Sequence, residues 1–395
     1  MRAATCTPFD FPTDGQFFGR DTGLLCRGFQ AHGIDCVVIM PGDPVKETHS
    51  DVIRTTRRDL SDRDWWRSHN FDLVVLYAWG DPRYQDVATA IRGAGIKLVQ
   101  SLDTAGLTTP FGNFEEWRKC LFGLLAAPFP AVGRLKVALR GLRDFIPAIH
   151  EKKRVKMLSN CDALAAVSEP ASRSVAGYVR ALGRSDIASK LFVVPHAVIP
   201  AMEFNAPEMR KTPKVLVVGR WMSEDRVQKD PERTIAVLGR FLHQESGWKA
   251  EVVGRGSGAL EKLTRAWTDD ARSRLTLTES IPRDQLIDRY QESSILLCAS
   301  RFESFHISSA EAVCCGCSIV VADHPLMASA SWFVTKQSGR LAPNRSAETL
   351  VSTLRAEAAA WRSGNRDAAT ISENWCAVLH AKNVAHSVIV QLGLA

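Results

Sequence analysis

Short apolar runs recur along this chain, each followed by a turn or by a segment with helical spacing. In the first half they fall at residues 3–7, 36–40, 73–78, 97–102, 163–167 and 191–195. In the second half they fall at 215–218, 250–254, 275–278, 295–299 and 318–322. Runs this short and continuous read as strands buried on both faces, the mark of parallel sheets covered by helices. The alternation predicts an α/β architecture, and 395 residues are enough for two doubly wound domains of about 200 residues each. A polar, proline-containing stretch at 200–213 reads as the linker. The expected domains are 1–200 and 201–375, with a last helix at 376–395 that packs back on the first.

Residues 298–323 carry the strongest local pattern: strand, loop, helix, glycine, strand. Two carboxylates in it matter, Glu303 and Glu311. Eight helical steps would turn the second about 80° from the first, so they do not share a helix face. They converge on one ligand only if Glu303 is on the loop and Glu311 in the first turns of a helix at 308–315. That is the carboxyl end of the sheet, where open α/β sheets bind ligands. The plain alternative for Glu311 is a capping box with Ser308, and for Glu303 a solvated loop carboxylate.

This stretch resembles the signature of the family 4 glycosyltransferases, retaining enzymes of GT-B fold with two Rossmann-like doubly wound domains facing across a cleft. The matching residues are Ala299, Ser300, Glu303, Ser304, Phe305, His306, Glu311, Ala312, Gly316, Ser318, Ile319 and Val320. Four depart from the family pattern: Ala299 and Ser318 stand where it has proline, Ser304 and His306 where it has glycine. The resemblance implies that Glu303 touches hydroxyls of a donor sugar and Glu311 holds the ribose, since a carboxylate accepts from two vicinal hydroxyls. It implies that Ser304, Phe305 and His306 line the same site, and that the 281–282 pair, Ile281 and Pro282, meets the base.

The resemblance extends loosely through the rest of the chain. Gly219-Arg220 matches the family's Gly-Arg after the first strand of the second domain, and Lys229 best matches its lysine, with Arg226 as competitor. The pair would grip a diphosphate: arginine through its fork, lysine as a point charge. In the first domain Gly19 sits where the family has a phosphate-facing glycine; an ordinary strand-to-helix turn explains it equally. Asp103 follows a strand and would orient the acceptor hydroxyl, or cap the next turn. The 191–198 segment matches the end of the family's first domain, with His196 for asparagine. Transfer would need no bound metal or other cofactor, the nucleotide-diphosphate sugar being the substrate. The departing phosphate would take the acceptor's proton.

Composition bears on partners. No apolar run reaches the roughly 20 residues that span a bilayer, and no signal peptide is expected. The ten cysteines lie mostly inside apolar runs and read as reduced core residues of a cytoplasmic protein. Cys314-Cys315-x-Cys317 lacks a second ligand pair at zinc-like spacing, and Asp62-x-Asp64 stands in a polar segment without fold context. Of the net charge of +7, residues 115–156 carry most, with ten basic and four acidic side chains. Within 114–156, Val132, Leu135, Leu139, Leu142 and Ile146 follow helical spacing. Such a helix either lies on an anionic membrane at the inner face or covers the first sheet with a solvated basic face. No nucleic-acid reading element accompanies the charge. The expected function is retaining transfer of a sugar to a saccharide, lipid-linked or protein acceptor in glycan or glycoconjugate synthesis. The rivals are a GT-B nucleotide-sugar epimerase, a non-catalytic membrane or scaffold protein and, far behind, a nicotinamide-dependent oxidoreductase.

Overall fold

Two wholly parallel sheets organise the described residues. The computed structural model describes residues 1–10, 13–14, 18–43, 48–103, 130–145, 150–204, 209–223 and 225–394. The chain divides into one unit of residues 1–104, 140–199 and 378–395 and another of 105–139 and 200–377.

The first sheet has the order β3-β2-β1-β4-β5-β6-β7. Its strands are β1 (Arg2–Cys6), β2 (Asp35–Pro41), β3 (Val52–Thr55), β4 (Leu73–Leu76), β5 (Lys97–Leu102), β6 (Ala163–Ala166) and β7 (Leu191–Val193). Every residue of β4 and β6 is buried, as strands covered on both faces require. The sequence reading missed β3. It is a four-residue edge strand, V-I-R-T, half-buried throughout, and its Arg54 turns to Asp10 and Asp14 rather than to the core. Helix Asp21–Gln30 covers one face with Leu24, Leu25 and Phe29, and helix Ala381–Gln391 joins the same core through Val384, Ala385 and Val388. These two helices touch at Gly28, where a Cβ would come within 2.2 Å of the Ala381 carbonyl oxygen.

The second sheet has the order β10-β9-β8-β11-β12-β13. Its strands are β8 (Thr212–Val218), β9 (Lys249–Val253), β10 (Leu275–Thr278), β11 (Ser293–Cys298), β12 (Ser318–Ala322) and β13 (Gly339–Ala342). Residues 339–342, which stand outside the apolar runs read from the sequence, form β13, pairing with β12 from Ile319↔Gly339 to Ala322↔Ala342. Helices Pro231–Gln244 and Ala347–Arg362 pack with the sheet into one apolar cluster, through Ile235, Leu238, Phe241, Leu350 and Leu354. In both sheets the strand order reverses beside the first strand of the unit, between β1 and β4 and between β8 and β11. The crevice at the carboxyl ends there is the ligand position of open α/β sheets.

The cysteines Cys314, Cys315 and Cys317 are buried and unbridged, and the Cys317 thiol donates to the carbonyls of Tyr290 and Ser293. Asp62 caps helix Arg63–Ser68 by accepting from the Asp64 amide, which accounts for the D-x-D pattern. Helix Pro130–Phe145 begins on a proline, as a first helical position favours. Its Val132, Leu135 and Leu139 are exposed, at 49%, 61% and 56%, so this apolar stripe does not cover a sheet. Arg154, counted with the basic region, is buried with its guanidinium on the Tyr178 hydroxyl. Residues 104–129 and 146–149 of that region, Ile146 with them, lie outside the described residues. No helix among the described residues is long and apolar enough to cross a membrane.

Candidate functional site

The loops after β8 and β9 meet backbone to backbone. The Gly219 amide donates to Val253 O and the Trp221 amide to Arg255 O. Gly254, at φ +133°, has no room for a side chain: a Cβ would stand 1.7 Å from Gly219 O. The next turn presents the amides of Gly256 and Gly258, and the Glu279 carboxylate accepts from both at 2.8 and 3.1 Å. Those two bonds hold its carboxyl below the usual glutamate value. Arg220, one residue past Gly219, leaves this platform for solvent. Its side chain is 71% exposed and pairs with Asp225 at 3.2 Å.

A buried ion pair lies beside it. Lys229 closes the short helix Arg226–Lys229, and its Nζ stands 2.6 Å from Glu303 Oε1. Gln228 donates to Glu303 Oε2 at 3.2 Å. The loop is pinned at both sides, because Arg301 N donates to Gln228 O and Glu303 N to Leu326 O. Burial alone would raise the Glu303 carboxyl, but Lys229, His306 and Ser300 together outweigh it and hold the group below the ordinary value, so Glu303 is ionised. Arg226, the competitor for the role of Lys229, pairs instead with Glu232.

His306 stands where the family pattern has glycine, and its backbone keeps the glycine conformation, φ +66° and ψ +70°. A buried non-glycine residue there carries strain of roughly 1–3 kcal/mol. Its Nδ1 lies 2.6 Å from Ser309 Oγ, and its Nε2 3.5 Å from Cys298 Sγ and 3.9 Å from Glu303 Oε1. Burial pushes its pKa down to about 4, so the ring is neutral near pH 7. Ser304 is half-buried; Phe305 is fully buried against Phe333, so only its backbone is available to a ligand.

Glu311 is on helix Ile307–Cys314, whose N-cap is His306 without a side-chain cap. The capping box with Ser308 does not form. Instead the Tyr290 hydroxyl donates to Glu311 Oε2 at 3.0 Å, and Arg283 stands 3.6 Å from Oε1. Burial raises the Glu311 carboxyl against the pull of Arg283. Ile281 is half-buried and Pro282 exposed at the start of helix Arg283–Glu292. The ligand atoms of Cys298, Glu303 and His306 lie within 4.8 Å of one another, as a metal would need. The Lys229 ammonium, however, already supplies the cation at Glu303.

In the first unit, Gly19 is half-buried two residues before helix Asp21–Gln30, and Asp103 follows β5. Asp103 Oδ2 lies 3.1 Å from Nε2 of His196, and Asp21 Oδ2 lies 3.7 Å from its Nδ1. Burial would lower the His196 pKa, yet Asp103 and then Asp21 raise it above the ordinary histidine value. The sequence marked His196 only as a replaced asparagine. Its two carboxylates come from distant parts of the chain, so no local signal announced the cluster.

Residues 212–356 match the family described as glycosyl transferases group 1. No curated protein matches the chain in sequence. In structure the chain is similar to the lipopolysaccharide outer core galactosyltransferase WaaB, apo form, at 15% identity over 100% of both chains, TM-score 0.66. It is similar to Anabaena HepE in complex with UDP-glucose at 13% identity over 100% of both chains, TM-score 0.62. It is also similar to a putative UDP-N-acetylglucosamine 2-epimerase from Listeria monocytogenes at 12% identity, covering 99% of this chain and 95% of that one, TM-score 0.58. At such identities these likenesses establish the fold.

Proposed function

We propose, for a chain of GT-B fold whose residues 212–356 match the group 1 glycosyl transferases, a retaining transferase that moves a sugar from a nucleoside diphosphate to an acceptor hydroxyl. The observation that carries this reading is the buried Lys229–Glu303 pair at 2.6 Å, beside an exposed Arg220, at the carboxyl ends of β8 and β11. A departing diphosphate needs cationic stabilisation as its charge grows. Arg220 is free to swing from Asp225 to the phosphates. Lys229 is held at the site by Glu303, and a diphosphate competes with that carboxylate for it. Glu303, ionised and fixed on both oxygens, orients sugar hydroxyls, and Glu311 accepts from the ribose. Neutral His306 narrows the sugar side where the family pattern leaves glycine. Asp103 aligns the acceptor hydroxyl in the first unit. The HepE structure contains UDP-glucose, which favours a uridine donor first.

The test is a panel of UDP-, GDP- and ADP-sugars with the product's anomeric configuration read by NMR. A retained linkage supports the reading, and an inverted one overturns it. The epimerase-like fold keeps one rival alive. Conversion of the donor's sugar to an epimer, with no acceptor present, would favour that rival.

We also propose that helix Pro130–Phe145 docks on an anionic membrane surface. Its exposed Val132, Leu135 and Leu139, with exposed Arg134, Lys136, Lys152, Lys153 and Lys156 in and after it, fit an acidic lipid face.

A further inference from the structure

Three side chains able to bind a metal converge beside the Lys229–Glu303 pair, each from a different element. Cys298 is the last residue of β11, Glu303 stands on the loop after it, and His306 is the N-cap of helix Ile307–Cys314. All three are buried, and their ligand atoms lie within 4.8 Å of one another. Each is fixed by its own surroundings. β11 lies between β8 and β12, the Glu303 amide donates to Leu326 O, and His306 is held at a φ of +66°, where glycine would be free of strain.

The distances suit one metal ion. Cys298 Sγ lies 3.5 Å from His306 Nε2, and Glu303 Oε1 lies 3.9 Å from the same nitrogen. In a tetrahedral zinc site the bonds are about 2.3 Å to sulfur and about 2.0–2.2 Å to nitrogen and oxygen, which puts the sulfur about 3.6 Å and the oxygen about 3.4 Å from the nitrogen. The other ring nitrogen, Nδ1, lies 2.6 Å from Ser309 Oγ. With Nδ1–H donating to that hydroxyl oxygen, the Nε2 lone pair faces the other two ligands, as in zinc sites where an outer hydrogen bond fixes the tautomer. Thiolate, imidazole and a single carboxylate favour zinc over magnesium or calcium, which take oxygen ligands.

In the metal-free chain Lys229 Nζ holds Glu303 Oε1 at 2.6 Å. A divalent ion anchored also by sulfur and nitrogen competes with that single charge, and the two cations repel one another at one oxygen. We propose that Cys298, Glu303 and His306 form a Zn2+ site that takes Glu303 from Lys229, so that zinc inhibits transfer. Binding expels the Cys298 thiol proton to solvent. The site stands on its own geometry; its effect on transfer rests on the reading of Glu303 as the ligand of the donor sugar.

The test uses the full chain freed of metal by a chelator, with Co2+ as a visible probe in place of Zn2+. Co2+ is expected to give the thiolate charge-transfer band of a tetrahedral site, and Zn2+ to remove it. The chain has ten cysteines, so the variants assign the site. Loss of an outer partner alone weakens a metal site by about tenfold or more, so Cys298→Ser and His306→Gly should each bind at least about tenfold more weakly. His306→Gly relieves the positive φ and carries the test if Cys298→Ser does not fold. Saturating Zn2+ should stop transfer, and Mg2+ should not. Metal-free Cys298→Ser should transfer like the wild type and need at least about tenfold more Zn2+ for inhibition. The inference is overturned if no thiolate band appears, if the band survives both variants, or if zinc-loaded protein transfers as fast as metal-free protein. A thiolate band that the variants remove, in a chain that transfers no sugar from any donor, would support the site while removing the donor reading.

Discussion

Two histidines among the described residues are buried with opposite charge preferences, and each follows from its neighbours. His306 has one distant carboxylate, at 3.9 Å, and that carboxylate is already neutralised by Lys229. His196 has two carboxylates, and its nearer one has no competing lysine among the described residues. The sign of each effect on stability follows from linkage. His306 titrates near 4 when folded and near 6.5 when unfolded, so its share of stability is complete above about pH 6.5 and is lost as pH falls toward 4. His196 is raised, so its share is complete below about pH 6.5 and is lost as pH rises through its folded value. NMR titration of the two C2 protons should show His306 neutral at pH 5.5 and His196 protonated at pH 6.5; the reverse order would contradict both assignments. A second outcome belongs to His306 alone. His306→Gly relieves the positive φ and opens the sugar side, so donor use should broaden while the base preference stays. An unchanged donor profile would mean that the ring faces away from the sugar.

The sequence placed Glu303 and Glu311 at the right ends of the right elements, because spacing decides which one can be helical. It did not reveal their partners. Tyr290 and Arg283 for Glu311, and Gln228 for Glu303, are 21 to 75 residues away and are chosen by packing. The same limit hid the Asp21–His196–Asp103 cluster.

At the scale of elements, the continuous apolar runs gave the strands almost to the residue, since burial on both faces leaves no polar positions. The exceptions were two edge strands, β3 and β13, both of four residues and neither a continuous apolar run. Helical spacing at 132–146 gave a helix but not its exposure. An amphipathic pattern says that one face is apolar, not what it meets. The exposed stripe argues against the sheet-cover reading, and the membrane reading is put to a lipid test. Full-length protein should co-sediment with vesicles containing phosphatidylserine or phosphatidylglycerol, less so as salt rises, because the basic contacts are screened. Leu135→Glu with Leu139→Glu should abolish the association without loss of fold, both positions being exposed. Equal binding to neutral vesicles, or none to either, would contradict the proposal.

At the scale of the whole molecule, the alternation of strand and helix already dictated two parallel sheets, and the topology sets the crevice at each strand-order reversal. What the site does with that crevice hangs on the division of labour between Arg220 and Glu303. Arg220 is exposed, so Arg220→Ala should change stability by no more than about 0.5 kcal/mol. Glu303→Gln breaks a buried ion pair and should cost roughly 3–5 kcal/mol. Their effects on ligand should run the other way. Calorimetric titration of UDP into the folded wild type and both variants is the most direct measurement. Loss of a charge-assisted contact of about 1.5–3 kcal/mol should make Arg220→Ala bind UDP about one to two decades more weakly. Glu303→Gln should bind UDP at least as well as the wild type, because UDP carries no sugar and Lys229 no longer has a carboxylate competing for it. UDP affinity that is untouched by Arg220→Ala, or that collapses in folded Glu303→Gln, would contradict the assignment of the donor site.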